Sequence, residues 1–359
     1  MIKEVKEKES VFESLSDLGH EQVVYCHDKA SGLKAIIGVH NTVLGPAVGG
    51  TRMWMYENEA QALHDVLRLS RGMTFKNAVA GLNAGGGKAV IIGDARKHKN
   101  ESLLRAFGNF IENLNGKYIT AEDVGMTARD MEFIKMQTDY VSGLPDYLGG
   151  LGDPSPHTAY GTYMGMKAAA KVAYGKDSLE GKKVTVQGVG SVGKMLIEYL
   201  IKENCEVFVS DYYQDRLQEV ANQHKVTAVG LEEIYDVEAD IYSPCALGAT
   251  INDDSLSRLK CDIIVGCANN QLEDEEKHGD QCIDKNIIYA PDFVVNSGGV
   301  INVYSEFMGG GEKWTQAYTE MIYDKSLKIL QTSYNERKNS QQVAIESAME
   351  RINSIASIH

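Results

Sequence analysis

Apolar residues recur along this chain in short runs and in helical stripes that alternate through most of its length. Between residues 103 and 114 they follow a 3.6-residue period, which predicts a helix, and residues 57–76 predict another. Short apolar runs at 22–27, 33–40, 88–92 and 117–121 predict strands among these helices. This alternation predicts a layered α/β domain in the first half of the chain.

The second half repeats a strand–helix rhythm more regularly. Strands are predicted at 183–187, 206–210, 240–243, 262–265 and 287–290, with helices at 192–203 and 214–224. These strands are apolar throughout, which is typical of a parallel sheet covered on both faces. The glycine- and proline-rich stretch 143–156 predicts the boundary between the halves, and residues 313–356 are predicted to be helical.

Charge and cysteine usage narrow the class of protein. The net charge of −14 opposes binding to polyphosphate, so nucleic acid is not an expected partner. No run of 18 apolar residues predicts a membrane span, and the first ten residues, MIKEVKEKES, lack the apolar core of a signal peptide. The six cysteines form no CxxC pair, so we expect free thiols, no metal site and a cytoplasmic location.

A glycine-rich turn follows the first strand of the second half. It reads GxGxxG and consists of Gly188, Val189, Gly190, Ser191, Val192 and Gly193. In such a turn the first glycine permits the tight bend, the second lets a pyrophosphate approach the backbone, and the third lets helix and strand pack closely. The N-terminus of the following helix supplies unpaired N–H groups for the phosphates, so a dinucleotide site is predicted.

Asp211 ends the next predicted strand, 18 residues beyond Gly193. A carboxylate there accepts hydrogen bonds from the ribose hydroxyls and repels a 2′-phosphate, so NAD is expected rather than NADP. The alternatives are a tight turn with a solvated aspartate, and a flavin site. Strand, spacing and acid together favour a dinucleotide, and Rossmann-type flavin motifs usually lie at the N-terminus of a chain.

Three segments of the first half carry residues suited to chemistry on an amine. They are GPAVGGTR at 45–52, Lys76 in GMTFKNA, and GGGKA at 85–89, with Glu122 and Asp123 after a predicted strand. Oxidation of an amine by hydride transfer needs a cation for the substrate carboxylate and a group that takes and returns protons. Lys88 suits the second task when burial and a neighbouring cation, here Lys76, favour its neutral amine. Asp123 can exchange protons with the amine and orient water.

Each segment alone also has an ordinary structural interpretation. A lysine at a strand start is usually solvated, an acidic pair after a strand usually forms a cap or turn, and two glycines usually mark a turn. GGGKA is not a phosphate-binding P-loop, because GxxxxGK[ST] is absent. Their order beside a dinucleotide motif favours the chemical interpretation.

Nine motifs occur in a fixed order along the chain: GPAVGGTRMW, GMTFKNA, GGGKAVIIGD, YITAEDVG, DPSPHTAYG, QGVGSVG, PCALGATIND, CANNQL and YAPDFVVNSGGVINV. Over about residues 10–350 the series resembles the glutamate/leucine/phenylalanine/valine dehydrogenases. The resemblance implies reversible NAD-dependent oxidative deamination of a small apolar L-amino acid, with leucine and its branched-chain relatives as first candidates. It also implies a homo-oligomer, with an octamer expected.

The resemblance implies roles for residues and domains. An N-terminal α/β substrate-binding and catalytic domain is expected at 1–149 and a doubly wound Rossmann domain at 150–334. A C-terminal helix at 335–359 would return towards the first domain, and an active-site cleft would close by hinge motion. Lys76 would bind the substrate carboxylate with the backbone around Gly49 and Gly50, Lys88 would be the general acid/base, and Asp123 would assist. Further cofactor contacts would be Thr158, Ala246, Asn269 and Asn296, besides Asp211 and the glycine turn.

The positions that match the family's side-chain pocket are Val48, Ala121, Val300 and Val303, and all are apolar. A glutamate substrate would leave its second carboxylate unpaired there, at a cost of about several kcal/mol. Leucine and valine differ by one methylene, which an apolar pocket distinguishes by only about 1–3 kcal/mol, so overlapping activities are expected.

Two alternatives remain at this point. One is a phenylalanine- or valine-preferring enzyme of the same family, and the other is a non-catalytic dinucleotide sensor. A sensor has no need of Lys76, Lys88 and Asp123, which argue for catalysis. Three positions depart from the family's usual residues: Val48 stands for leucine, Cys267 for serine and Ser297 for alanine.

Overall fold

A computed structural model describes residues 10–358. The chain divides into two compact units: Met1–Asp153 with Asn302–Glu312 and Met349–His359, and Pro154–Ile301 with Lys313–Ala348. The expectation drawn from the first residues, that they form no signal peptide, concerns positions outside those described, apart from Ser10.

The first unit begins with a continuous series of helices and strands. They are α1 (Val11–Leu18), β1 (Gln22–Asp28), β2 (Leu33–Asn41), β3 (Ala47–Val48), β4 (Thr51–Trp54), α2 (Glu59–Val79), β5 (Gly85–Ile92), α3 (Glu101–Glu112), β6 (Tyr118–Ile119) and α4 (Ala128–Lys135). The order of strands in the sheet is β1-β2-β5-β3-β6, and β4 pairs with β5. β1, β2 and β5 are antiparallel neighbours, whereas β3, β4 and β6 join in parallel.

Both faces of this sheet are covered, because successive side chains of a strand point to opposite sides. On β2, Ile36 faces a cluster with Val66 and Leu67 of α2. On the opposite face of the same strand, Ile37 and Val39 belong to a second cluster, which contains the apolar stripe of α3. The stripe therefore forms the predicted helix, and β5 is held in the middle of the sheet between two helical layers.

The second unit has a more regular order of elements. They are α5 (Ser155–Tyr174), β7 (Lys183–Gln187), α6 (Ser191–Lys202), β8 (Glu206–Ser210), α7 (Gln214–Gln223), β9 (Thr227–Ala228), β10 (Ile241–Pro244), α8 (Asp253–Arg258), β11 (Ile263–Ile264), α9 (Lys277–Asp284), β12 (Ile288–Tyr289) and α10 (Asp292–Val295). The remaining helices are α11 (Gly298–Met308), α12 (Gly311–Glu320), α13 (Ile322–Glu336) and α14 (Ser340–Ala356).

The sheet of the second unit has the order β12-β11-β10-β7-β8-β9, and every neighbouring pair is parallel. Apolar residues of β7 and β8 pack with α5 and α6 in one cluster. Tyr242 and Ile264 of β10 and β11 belong to another cluster with α8 and α9. Two covered faces explain why these strands are apolar throughout. The predicted α/β class, with a doubly wound second half, is confirmed.

The division into units differs from the predicted domain limits at two segments. Residues 302–312 fall in the first unit, where Tyr304 donates to the Asn83 carbonyl oxygen at 3.3 Å and Glu306 accepts from the Leu144 N–H at 3.1 Å. Of the C-terminal segment only 349–359 belongs to the first unit. There Arg351 donates to the carbonyl oxygens of Ala78 and Leu82 at 2.9 and 2.7 Å.

Several short elements are missing from the sequence prediction. GPAVGGTRMW contains the strands β3 and β4, although its glycines suggested a turn, and β5 begins at Gly85 rather than at Lys88. The short elements α4 and β9 are also additional, and the helical end of the chain is divided into α12, α13 and α14. Two- to four-residue strands are too short for a periodic signal and form only because a neighbouring strand pairs with them.

Within residues 10–358 no helix has the length and apolar character that a membrane span requires. All six cysteines are free thiols, as predicted.

Candidate functional site

Strand β5 carries Lys88 behind three glycines, and the structure gives each glycine a steric reason. A Cβ atom on Gly85 would lie 1.9 Å from the Asn41 carbonyl oxygen, and one on Gly86 would lie 2.2 Å from the Thr74 backbone nitrogen. On Gly87 it would lie 2.7 Å from the Tyr118 ring. The glycines therefore let a helix, a strand and an aromatic ring close around the strand immediately before Lys88.

Gly49 and Gly50 join β3 to β4 under a similar constraint. A Cβ atom would lie 1.8 Å from the Gly87 carbonyl oxygen at Gly49, and 2.6 Å from the Glu122 carbonyl oxygen at Gly50. The Gly49 N–H donates to the Ile119 carbonyl oxygen at 3.2 Å, so the sheet already uses this donor. Close packing alone accounts for both glycines, and Gly49 offers less to a substrate carboxylate than the motif suggested.

Lys76 lies near the C-terminal end of α2 and is half-buried. The next residue, Asn77, is fully buried, and its Nδ2 donates to the carbonyl oxygens of Gly85 at 2.6 Å and Val48 at 3.3 Å. The amide therefore ties α2 to the two glycine-rich segments at the level of Lys76. The sequence did not indicate these contacts of Asn77, because the residue stands out there only by its place beside Lys76.

Lys88 and Asp123 form an ion pair in this part of the first unit. Lys88 Nζ lies 2.5 Å from Asp123 Oδ2, and the two side chains are 9% and 23% exposed. Two residues before Asp123, the Ala121 carbonyl oxygen accepts from the Thr51 N–H at 2.8 Å. The start of β4 therefore holds the backbone segment that carries the Asp123 carboxylate. The structure thus brings together two residues 35 positions apart that the sequence suggested separately.

The charge state of Asp123 follows from two cations. Burial alone would raise the pKa of the Asp123 carboxyl, but the positive charges of Lys88 and Arg52 lower that pKa to about 2. Asp123 is therefore ionised near neutral pH. By contrast, burial raises the pKa of the neighbouring Glu122, and the negative charges of Asp153 and Glu306 raise it further.

Arg52, Asp65 and Tyr56 extend the pair into a network that sequence reasoning missed. Arg52 Nε lies 3.4 Å from Asp123 Oδ2, and its Nη1 lies 3.1 Å from Asp65 Oδ2. The Tyr56 hydroxyl donates to the same Asp65 oxygen at 2.7 Å. The one available signal was the position of Arg52 beside Gly49 and Gly50, which gave no indication of its partners.

The four predicted pocket residues are distributed between the two units. Val48 and Ala121 are buried in the first unit. Val48 ends β3, and Ala121 lies two residues after β6, the strand that pairs with β3. Val303 is half-buried in the first unit, and Val300 is buried in the second. The assignment of these four residues to one pocket stays a prediction.

The predicted glycine turn of the second unit lies between β7 and α6. Gly188 has φ +106°, and a Cβ atom there would lie 2.7 Å from Ala246. At Gly193 it would lie 2.2 Å from the Gly188 carbonyl oxygen, whereas at Gly190 it meets nothing within 4 Å. Gly188 and Gly193 thus close the turn, while the space above Gly190 is open in front of the α6 N-terminus. That space and the free helix end fit a pyrophosphate group.

Asp211 follows β8 directly and is 8% exposed. Its Oδ2 accepts from the Val189 N–H and its Oδ1 from the Tyr213 N–H, both at 2.8 Å. Each oxygen keeps a further lone pair for a ribose hydroxyl. The carboxylate is therefore held in place beside the glycine turn by the backbone of the turn itself.

The other predicted cofactor contacts all belong to the second unit. Ala246 follows β10 and borders Gly188. Asn296 donates from Nδ2 to Asn269 Oδ1 at 2.8 Å, and its own Oδ1 is buried without a hydrogen-bond partner. Thr158 Oγ1 lies next to Gly299, where an added Cβ atom would be 2.9 Å away. The orphaned oxygen of Asn296 suits a donor such as a carboxamide N–H.

Comparison with known families covers both units. Residues 20–140 match the family model described as Glu/Leu/Phe/Val dehydrogenase, dimerisation domain. Residues 149–213 and 203–358 match the model described as Glutamate/Leucine/Phenylalanine/Valine dehydrogenase.

Individual relatives carry three different substrate names. The chain is 52% identical to a leucine dehydrogenase from Thermoactinomyces intermedius, over 95% of this chain and 93% of that one. It is 45% identical to a phenylalanine dehydrogenase from Lysinibacillus sphaericus, over 89% and 85%. The crystal structure of L-tryptophan dehydrogenase from Nostoc punctiforme superposes with a TM-score of 0.86 at 42% identity, covering 97% of this chain and 100% of that one.

The fold, the extent of these matches and their names define the protein as an enzyme, an oxidoreductase of the dehydrogenase class. It belongs to the glutamate/leucine/phenylalanine/valine dehydrogenase family and is an amino-acid dehydrogenase.

Proposed function

We propose that this enzyme catalyses the reversible, NAD-dependent oxidative deamination of L-leucine and related branched-chain L-amino acids to 2-oxo acids and ammonia. The observation that carries the proposal is the buried Lys88–Asp123 ion pair, with 2.5 Å between Nζ and Oδ2. A proton-transfer group of this kind is required for amine oxidation and has no purpose in a dinucleotide sensor. Identity of 52% to a protein named leucine dehydrogenase supports the choice of substrate.

Substrate binding is assigned to the first unit. Lys76 supplies the cation for the substrate carboxylate, and Asn77 holds that end of α2 against the Gly85 and Val48 carbonyl oxygens. Because the Gly49 N–H is used within the sheet, the nearby backbone donor in this proposal is that of Gly50. Val48, Ala121, Val300 and Val303 surround the apolar side chain.

Proton transfer is assigned to Lys88. NAD, when bound, supplies the acceptor for the hydride that leaves the substrate Cα atom. The neutral amine of Lys88 accepts a proton from the water molecule that adds to the oxidised carbon, and the resulting ammonium returns this proton to the amino group, which leaves as ammonia. Lys88 then accepts the remaining hydroxyl proton as the C=O bond of the 2-oxo acid forms. Asp123, whose pKa is lowered to about 2 in spite of burial, stays ionised and orients the Lys88 amine.

The second unit is assigned to NAD. Asp211 accepts hydrogen bonds from the adenosine ribose and repels a 2′-phosphate, and the turn from Gly188 to Gly193 holds the pyrophosphate. Thr158, Ala246, Asn269 and Asn296 complete the contacts. We also propose a cytoplasmic homo-oligomer, an octamer, supported by free thiols and by a match to a model described as a dimerisation domain.

A second candidate is preference for an aromatic amino acid. Val48 is smaller than the leucine that the family usually carries, which enlarges an apolar pocket, and relatives at 44–45% identity are named tryptophan and phenylalanine dehydrogenases. One methylene changes specificity by only about 1–3 kcal/mol, so a small change in pocket volume suffices to reorder substrates.

A substrate panel tests both candidates. The rate of NADH formation is measured with leucine, isoleucine, valine, phenylalanine, tryptophan and glutamate, each with NAD and with NADP. The highest kcat/KM is expected for leucine with NAD, and none for glutamate. Phenylalanine or tryptophan in first place would establish the second candidate, and no reduction with any apolar amino acid would remove both.

A further inference from the structure

We propose that Arg52 is a positioning residue for this reaction: it holds the Asp123 carboxylate against Lys88, and its charge helps the Lys88 ammonium to release its proton. The inference rests on the function proposed above. The sequence suggested Lys76 as the cation near Lys88, and the contact with Asp123 adds Arg52.

The geometry places two cations on one carboxylate oxygen. Lys88 Nζ lies 2.5 Å from Asp123 Oδ2, and Arg52 Nε lies 3.4 Å from the same oxygen. The two nitrogens are therefore at most about 6 Å apart, as the two distances to the shared oxygen require. Their side chains are 9% and 24% exposed, so water screens the interaction less than at the surface.

The other end of Arg52 is anchored independently of any substrate. Its Nη1 lies 3.1 Å from Asp65 Oδ2, which also accepts from the Tyr56 hydroxyl at 2.7 Å. Arg68 Nη2 contacts the opposite oxygen, Asp65 Oδ1, at 3.2 Å. Asp65 lies on α2, so the helix that carries Lys76 also fixes the guanidinium beside Asp123.

The charge of Arg52 is permanent. Burial alone would lower the pKa of the Arg52 guanidinium, but the carboxylates of Asp123 and Asp65 raise it above its usual range. Asp123 likewise stays ionised, so the proposal assigns the exchange of protons to Lys88. Among the described residues, further charged or titratable groups near the pair include Asp65 and Arg68 on α2, Tyr56, Tyr118 on β6, and Glu122.

The electrostatic consequence has a defined sign. With Arg52 present, Asp123 is shared between two cations, and a positive charge within about 6 Å disfavours the ammonium form of Lys88. Without Arg52, the full charge of Asp123 acts on Lys88 alone and stabilises that ammonium. At an intermediate effective dielectric constant, we expect a displacement of about 1 pH unit.

The test is the pH profile of kcat/KM for deamination in Arg52→Gln, with Arg68→Gln as the matched control. Activity rises with pH on the acidic limb, because Lys88 and the substrate amine must lose protons. In Arg52→Gln the half-maximal pH of this limb should move up by about 1 unit, and Arg52→Lys should move it back. Arg68→Gln should move it much less than Arg52→Gln, because Arg68 Nη2 contacts Asp65 Oδ1, the oxygen that does not face Arg52.

A second variant tests the inference even if the Arg52→Gln enzyme does not fold. Asp65→Asn removes the carboxylate that balances Arg52, so more of its charge reaches Asp123 and Lys88, and the acidic limb should move to lower pH. A purely structural role predicts equal loss of kcat at every pH in all these variants, with no displacement, and that result would overturn the inference. If the wild-type enzyme reduces no dinucleotide with any amino acid, the proposed function fails instead.

Discussion

The glycine turn of the second unit and the Lys88 site of the first unit are built in opposite ways. The turn is contiguous: Gly188, Val189 and Gly190 join β7 to the first residues of α6, and the segment presents backbone N–H groups and open space above Gly190. The Lys88 site is assembled from β4, α2, β5 and the segment after β6, and it depends on side-chain charges.

This difference determines what a substitution does in each place. In the turn, the important property is backbone conformation, so an added methyl group is enough to disturb it. At Lys88, the important property is the charge balance among Lys88, Asp123, Arg52 and Asp65, so removal of one charged group changes the reactivity of the others. The following predictions test that contrast, beginning with the largest effect.

Replacing Lys88 by alanine should reduce kcat for deamination by about 1,000-fold, because the proton-transfer group is lost. The affinity for NAD, measured by fluorescence titration, should stay within about twofold, since the glycine turn is untouched. Lys97→Ala, at a side chain that is 77% exposed, serves as control and should be fully active. A Lys88→Ala enzyme with wild-type kcat would show that another group moves the proton.

Two alanine substitutions should separate conformation from binding in the turn. Gly188→Ala combines φ +106° with a contact 2.7 Å from Ala246, so it should lower the free energy of unfolding by about 2 kcal/mol. Gly190→Ala meets nothing within 4 Å, so stability should change by less than about 0.5 kcal/mol while NAD affinity falls about tenfold. Urea unfolding and NAD titration of both variants provide the check.

Equal effects of Gly188→Ala and Gly190→Ala on stability would contradict this separation. Unchanged NAD affinity in a folded Gly190→Ala enzyme would show that the pyrophosphate does not bind in the space above Gly190.

The smallest predicted effect is a loss of stability in acid that originates in the first unit. Burial lowers the pKa of both His20 and His40 to about 4, and the charge of His40 also acts on His20. The folded chain keeps both rings neutral, whereas the unfolded chain binds protons below about pH 6.5, so stability is complete above that pH and declines towards pH 4. Between pH 7 and pH 6 the pair should cost on the order of 1 kcal/mol.

Urea unfolding at the two pH values measures this decline. A His20→Gln, His40→Gln double variant should show a smaller change, whereas His27→Gln, at an exposed position of β1, should behave like the wild type. An identical pH dependence in the double variant would place the acid sensitivity elsewhere.

Local sequence was sufficient where a structure depends on neighbours in the chain. The turn from Gly188 to Gly193 lies between a strand and a helix as predicted, and Asp211 follows the next strand. The apolar stripe of α3 also forms the expected helix. In each case a short segment contains both the constraint and the residues that satisfy it.

Arg52 and Asn77 illustrate what could not be predicted. The partner of Arg52 on α2, Asp65, becomes a neighbour only because β4 pairs with β5 and α2 packs on the same strand. Asn77 is important because two glycine-rich segments present their carbonyl oxygens at one place. Neither contact leaves a periodic or compositional signal in the sequence.

The order of residues alone determined the α/β class, the dinucleotide turn and the lysines and aspartate suited to amine chemistry, because periodicity and motif spacing are properties of adjacent positions. Tertiary structure decided which charges meet. The strand order β1-β2-β5-β3-β6, with β4 beside β5, brings Lys88, Asp123 and Arg52 together, and electrostatic interaction depends on distance in space rather than along the chain.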